Sequence, residues 1–212
     1  MTTRILIADD QEDVRSGFRL ILDSQPDMTV VAEAADGSTA VDLARTLRPD
    51  VVLADIRMPK LDGLEVTRQL SAGTKVIVVT TFDLDDYVHT ALRHGACGFL
   101  LKRSGPTLLI EAVRAAMAGD TLISPQITVR LLRHLAPESG HTPPQDPLTP
   151  REREIVRLVA RGLTNAEIAS ELVVTPGTAK THLANIQAKL GVRNRVGIAA
   201  WAWRTGLATP TP

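Results

Sequence analysis

VVLADIRMPKLDGLEV, residues 51–66, decides the fold. A run of apolar, β-branched residues ends on a carboxylate, Asp55, and the chain breaks at once at Met58-Pro59 and Asp62-Gly63. An ionised group at the end of a buried strand costs free energy unless its charge is used. Related endings recur at ILIADD (5–10), which stops on Asp9 and Asp10, at VVTT (78–81) and at GFLLK (98–102).

Working outward, β-branched runs at Arg4–Ala8, Thr29–Glu33, Val51–Asp55, Lys75–Val79 and Gly98–Leu101 alternate with amphipathic stretches of helical length. The latter are Glu12–Ser24, Ser38–Leu47, Gly63–Leu70, Leu84–Arg93 and Pro106–Ala118. Five strands alternating with five helices predict parallel βαβ units joined by right-handed crossovers. Several strands are apolar almost throughout, as expected where helices cover both faces of a sheet. The predicted class is α/β: a doubly wound, five-stranded parallel sheet of order 2-1-3-4-5, followed by a small all-helical domain.

The remaining chain divides by punctuation. PESGHTPPQDP (137–147) holds four prolines and reads as an exposed linker, with the helical-looking ITVRLLRHL (127–135) before it. Thr149-Pro150-Arg151-Glu152 and Thr164-Asn165-Ala166-Glu167 have the spacing of capping boxes, and Thr175-Pro176 offers a third cap with proline at the first helical position. Helices of about 12, 8 and 15 residues follow, and a fourth is expected from about Asn194 to Thr205. The expected domains are residues 1–120, a linker over 121–147, and residues 148–212.

The 212 residues carry no net charge, but unevenly. Residues 1–122 hold 13 Lys/Arg against 18 Asp/Glu, a net of −5, and residues 123–212 hold 11 against 6, a net of +5. A basic second half suits a polyanionic partner such as nucleic acid. The single cysteine, Cys97, excludes an internal disulfide and suits a reducing compartment. With no signal-peptide pattern and no apolar run of spanning length, the expectation is a soluble cytoplasmic protein.

In an open parallel sheet, functional groups gather beyond the C-terminal ends of the strands, where the strand order reverses. Asp9, Asp10 and Asp55 fall there together if strands one and three are neighbours. Clustered carboxylates raise one another's pKa or demand a cation, and all-oxygen ligation suits Mg²⁺. Lys102 can add a fixed positive charge and Thr80 a hydroxyl; spacing favours Thr80 while leaving the adjacent Thr81 open. Carboxylate nucleophile, cation and lysine together make a phosphoryl-transfer site. Singly, each residue has a plainer role: Asp9-Asp10 as a helix cap, Thr80 as a strand-end hydroxyl, Lys102 as a solvated cation, Asp62-Gly63 as a turn. A phosphatase of the haloacid dehalogenase type uses similar groups, but needs a D-x-D after the first strand, where this chain has the adjacent pair Asp9-Asp10.

These motifs over residues 3–119 (ADD, DIRMPKLDG, VVTT and GFLLK) resemble the receiver domain of two-component response regulators. The resemblance implies that Asp55 accepts phosphate from a sensor histidine kinase. It implies Mg²⁺ bound by Asp10, Asp55 and the Arg57 carbonyl, with Asp9 acting through water. Thr80 would move toward the phosphoryl group, Phe99 would change rotamer with it, and Lys102 would pair with the phosphoryl charge. The family often has Lys-Pro after strand five; here the pair is Lys102-Arg103, which disfavours a cis peptide.

Farther on, Ile168, Ala169 and Leu172, with Ala179, Leu183, Ile186 and Leu190, are spaced as two apolar helix faces across the short turn LVV (172–174). That is helix-turn-helix spacing. A generic bundle would share it, but would not account for Thr178, Lys180, Thr181 and Asn185 on the opposite face. Residues 147–207 resemble the LuxR-type DNA-binding domain of NarL/FixJ-like regulators. The implied recognition helix is Pro176–Leu190. Lys180 and Thr181 would approach bases or nearby phosphates, while Thr164, Asn165 and Arg195 would hold backbone phosphates. Thr175, Thr178 and Asn185 complete the expected DNA-binding set. The last helix, with Trp201 and Trp203, would dimerise the domain.

The expected function is therefore transcription regulation through phosphorylation-controlled dimerisation, as a homodimer when phosphorylated or DNA-bound, and sequence-specific DNA binding, rather than catalysis by a dedicated enzyme. The sequence leaves two rivals: a regulator whose Asp55 is vestigial, and an adaptor whose helical domain does not bind DNA.

Overall fold

Strand β1 (Thr3–Ala8) builds two cores at once. Successive side chains of a strand point to opposite faces, so Ile5 and Ile7 enter one hydrophobic cluster and Leu6 and Ala8 another. The computed structural model describes residues 2–81, 85–123 and 148–208. The chain divides into two compact units, Met1–Arg130 and Leu131–Pro212.

In the first unit β1 is followed by α1 (Glu12–Asp23), β2 (Met28–Ala34), α2 (Gly37–Leu47), β3 (Val51–Ala54), α3 (Gly63–Leu70) and β4 (Lys75–Thr80). Then come α4 (Asp85–Arg93), β5 (Gly98–Leu101), α5 (Pro106–Ala118) and β6 (Leu122–Ile123). All neighbouring strands pair in parallel, in the order β2-β1-β3-β4-β5-β6. Leu22 of α1 and Leu109 and Val113 of α5 pack on the Ile5/Ile7 face, with Leu53, Val79 and Leu100. Val41 of α2 and Val66 and Leu70 of α3 cover Leu6, Val52 and Val76 on the other. Full burial of a Leu or Ile side chain is worth about 1.5–3 kcal/mol, so the apolar continuity of β1 and β3 reflects this double cover.

The expected five-stranded sheet is corrected to six. Leu122 and Ile123 add a short parallel strand against Gly98 and Phe99. Two residues are too few to show a strand period. Their place follows from α5, which ends at Gly119 in the left-handed conformation (φ 87°) and turns the chain back along the sheet edge. Strand two is a little longer than expected. The expected start of helix four, Leu84, and the stretches 127–135 and 137–147 lie outside the described residues.

Backbone packing at the loop after β3 is unusually close. A Cβ on Gly63 would lie 2.0 Å from the Asp55 carbonyl oxygen, and one on Gly37 would lie 2.0 Å from that of Leu61. Neither approach admits any side chain, and backbone atoms cannot swing aside.

The second unit is helical: α6 (Pro150–Ala160), α7 (Asn165–Glu171), α8 (Pro176–Leu190) and α9 (Arg195–Arg204). Both expected capping boxes form, Thr149 with Glu152 and Thr164 with Glu167, and the Thr175 hydroxyl accepts from the Thr178 amide. Ile155, Val159, Ile168, Leu183, Ile186, Ile198 and Trp201 share one core, while Leu190 is half-buried beside it. The carboxylate of Glu152 also accepts from Lys189 Nζ at 2.7 Å, which ties the start of α6 to the end of α8.

Two stability predictions follow from these contacts. Gly63→Ala should lose about 1–3 kcal/mol through overpacking, measured by urea unfolding. Gly73→Ala, whose Cβ meets nothing within 4 Å, should stay within about 0.5 kcal/mol of the parent. In the helical unit, the hydrogen bond from Lys189, aided by the Thr149 amide, lowers the Glu152 pKa from 4.5 to about 2. A carboxyl lowered on folding adds stability above its unfolded pKa and loses it as pH falls through the folded value. Both tryptophans lie in this unit, so their fluorescence should report weakening from about pH 4.5 toward pH 2. Glu152→Gln should be less stable at neutral pH and flatter across that window; an unchanged acid limb would refute the assignment.

Candidate functional site

Because β1 and β3 are paired neighbours, with Ala8 opposite Ala54, the residues just past their ends emerge side by side. Asp9 and Asp55 are both buried, and Asp10 is exposed at the rim. One carboxylate oxygen from each of the three lies within 4.8 Å of the others. Each buried carboxylate is held by backbone as well: the Gln11 amide donates to Asp9 Oδ1 at 3.0 Å, and the Ile56 amide to Asp55 Oδ1 at 2.7 Å.

From the end of β5, Lys102 reaches across the sheet. Its Nζ lies 2.7 Å from Asp9 Oδ2 and 2.9 Å from Asp55 Oδ2, with only 9% of the side chain exposed. Burial pushes the Asp9 carboxyl above the usual aspartate range, even though the hydrogen bonds from Lys102 and Gln11 act the other way. Burial works against the charge on Lys102, but its hydrogen bonds to Asp9 and Asp55 outweigh it and raise the ammonium pKa. One cation thus faces three carboxylates, leaving two negative charges when all are ionised. Hard oxygen donors with one exposed member fit a small divalent cation that keeps part of its water shell.

Thr80 ends β4, fully buried and in register with Leu101, immediately before Lys102. Its neighbour Thr81 is exposed. Phe99 is also fully buried, between Val78 of β4 and Ile123 of β6 in register. Arg57 follows Asp55 by two residues in the β3–α3 loop and is exposed. No cis peptide occurs among the described residues. Arg15 belongs to none of the sequence motifs. Its guanidinium donates to the Asp9 carbonyl at 2.8 Å and lies 3.4 Å from Glu33, bracing the turn that carries the acidic pair. Six residues separate Arg15 from Asp9, so no helical or strand spacing flags the contact.

In the helical unit, Thr178, Lys180, Thr181 and Asn185 share the exposed side of α8, opposite buried Ala179, Leu183 and Ile186. Thr164 and Thr175 sit exposed at the starts of α7 and α8, each engaged as a helix cap. Asn165 and Arg195 are set apart. Asn165 is buried, and the Arg195 guanidinium donates to its Oδ1 at 3.3 Å and to the Leu163 carbonyl, fastening the start of α9 to the start of α7. The two tryptophans divide: Trp201 is core, and Trp203 is 39% exposed.

Both units match known families. Residues 5–114 match the response regulator receiver domain, and residues 146–202 match the bacterial regulatory proteins of the luxR family. The chain is a NarL-type response regulator. It is 41% identical over 207 residues to the transcriptional regulatory protein LiaR of Bacillus subtilis, covering 96% of this chain and 98% of that one. The nitrate/nitrite response regulator NarL of Escherichia coli K12 is 37% identical over 201 residues, with 93% of each chain covered. Among solved structures, the response regulator ChrA of a heme-sensing two-component system aligns over 97% of this chain and 98% of its own, with 38% identity and a TM-score of 0.54. A structure of RcsB dimers bound to DNA aligns over 95% and 98%, at 26% identity and a TM-score of 0.58.

As a response regulator the chain joins a receiver, whose class of partner is a histidine kinase, to a domain whose class of partner is DNA. It is a transcription regulator by family. No described helix is long and apolar enough to cross a membrane.

Lys102→Met should expose the charge imbalance of the receiver. Removing one partner of a buried ion pair costs about 3–5 kcal/mol. The raised Asp9 pKa means that its ionised form costs stability above that pKa, and that the cost fades as pH falls below it. The variant's deficit in urea unfolding, followed by far-UV circular dichroism, should therefore be larger at pH 7 than near pH 4. A deficit independent of pH would contradict this account.

Proposed function

We propose that Asp55 is the phosphoacceptor of this regulator and that its phosphorylation controls DNA binding by α8. The observation that carries the reading is the convergence of Asp9, Asp10, Asp55 and Lys102 from the ends of three separate strands. A carboxylate oxygen of Asp55 attacks phosphorus of a phosphohistidine on the sensor kinase. The new P–O bond forms as the P–N bond breaks, and the electron pair returns to the imidazole nitrogen. Asp9, Asp10, Asp55 and the Arg57 carbonyl would hold Mg²⁺, which supplies positive charge to the phosphoryl oxygens when bound. Lys102 keeps its own charge beside the acceptor and exchanges one anionic partner for another.

Phosphorylation adds about −1.5 to −2 charges at one point. Thr80 is drawn toward that charge, Phe99 follows, and the surface near β5 shifts. Only a difference in affinity between the two forms can move the protein toward a DNA-binding or dimeric state. Exposed Trp203 on α9 supports dimerisation of the helical domain, and the two half-sites of its DNA would then be related by a two-fold. On DNA, Lys180, Thr181, Thr178 and Asn185 face the major groove. Thr164, Thr175, Asn165 and Arg195 act at the phosphate backbone, the last two by holding helix starts in place. The phosphoryl group is lost slowly by hydrolysis in the same site, and the protein works in the cytoplasm.

The test joins both units. Incubation with Mg²⁺ and acetyl phosphate should add one phosphoryl group by intact mass, absent in Asp55→Asn, and should tighten DNA binding or shift the protein to dimer. Labelling of Asp55→Asn, or labelling of the parent with neither response, would overturn the switch. Lys180→Ala should weaken binding to duplex DNA and reduce the slope of log affinity against log salt by about 1. A variant that binds as the parent does would remove Lys180 from the interface.

A further inference from the structure

The loop from Asp55 to Gly63 carries the Arg57 carbonyl, and its two ends are anchored differently. Near Asp55 the anchoring is backbone: the Gly63 amide donates to the Ile56 carbonyl at 2.9 Å, and Gly63 presses against the Asp55 carbonyl. On the far side the loop is fastened to the start of α2. The Gly37 amide donates to the Pro59 carbonyl at 3.4 Å, and Lys60 Nζ donates to Asp36 Oδ2 at 2.8 Å. Asp36 is mostly buried and already committed, as its other oxygen caps α2 by accepting from the Thr39 amide at 2.8 Å. The hydrogen bond from Lys60, with that of the Thr39 amide, holds the Asp36 carboxyl down at about 2, so it stays ionised at any working pH.

Lys60 also sits at φ 64°, in the left-handed region that side chains other than glycine rarely adopt. A lysine kept at that strained position, and paired across 24 residues of sequence with a helix-capping carboxylate, fixes the loop at its midpoint. Arg57 lies between this point and the Ile56 anchor.

We propose that the Lys60–Asp36 pair is a positioning device that holds the Arg57 carbonyl where the metal ion of the phosphorylation site needs it. The inference rests on the metal reading given above. Mg²⁺ tolerates little departure from octahedral geometry, so loosening the loop lowers metal affinity without removing any ligand. Lys60 is 65% exposed on its side chain. Exposed pairs are worth at most about fivefold in an equilibrium constant, and the effect expected is about two- to fivefold.

The experiment measures Mg²⁺ binding directly, by titration calorimetry on the full, unphosphorylated chain, together with thermal stability. Lys60→Met keeps the aliphatic stem and removes the charge; its Mg²⁺ dissociation constant should rise about two- to fivefold. Lys60→Arg should restore the parent value. Lys60→Gly separates positioning from folding, because glycine relieves the left-handed backbone while losing the pair. Its melting temperature should stay level or rise while its Mg²⁺ binding weakens. Metal affinity unchanged in Lys60→Met and Lys60→Gly overturns the proposal, as does weaker binding that merely tracks lost stability. A parent protein that binds no Mg²⁺ overturns the underlying metal reading and this inference together.

Discussion

Lys102 lies between two buried carboxylates, and the receiver is organised around that charge balance. Its ammonium touches Asp9 from β1 and Asp55 from β3 while standing at the end of β5. Without a cation there, two buried anions would face each other in a medium that screens them poorly. The lysine neutralises only part of the acidic set. Burial, more than the neighbouring Asp55 charge, raises the Asp9 pKa.

That arrangement demands a precise backbone around it. Parallel pairing of β1 with β3 brings the two aspartates together, and pairing of β4 with β5 places Thr80 beside the strand end that bears Lys102. Glycine at 37 and 63 permits backbone contacts no other residue would allow. Arg15 and the Lys60–Asp36 pair brace the flanking turns. Rigid strands thus set the charges, and these contacts fix the loops between them.

The helical unit follows the same economy with different means. Side-chain caps define its helix starts, and one of them serves twice: Glu152 closes a capping box and binds Lys189. At α7, Asn165 follows the Thr164 cap and receives Arg195. Thr178, Lys180, Thr181 and Asn185 face outward on α8 because Ala179, Leu183 and Ile186 use the opposite face for the core. Val173, 91% exposed at φ 53°, marks the tight turn that aims α8 away from α7.

By itself the sequence determined the alternation of strands and helices, the capping boxes at Thr149 and Thr164, and the strand-end positions of Asp9, Asp10, Asp55, Thr80 and Lys102. Each is a local pattern, set by period, turn residues or spacing within a few positions. Tertiary structure alone decided β6, whose two residues are too short to carry a period and take their place from the edge of β5. It alone paired Lys60 with Asp36 and Arg15 with the Asp9 carbonyl, and it joined Asn165 and Arg195 in a bracket between α7 and α9. It also divided the tryptophans, burying Trp201 and exposing Trp203. Such contacts join residues distant in sequence or offset from any regular period, so only the packed chain brings them within reach of one another.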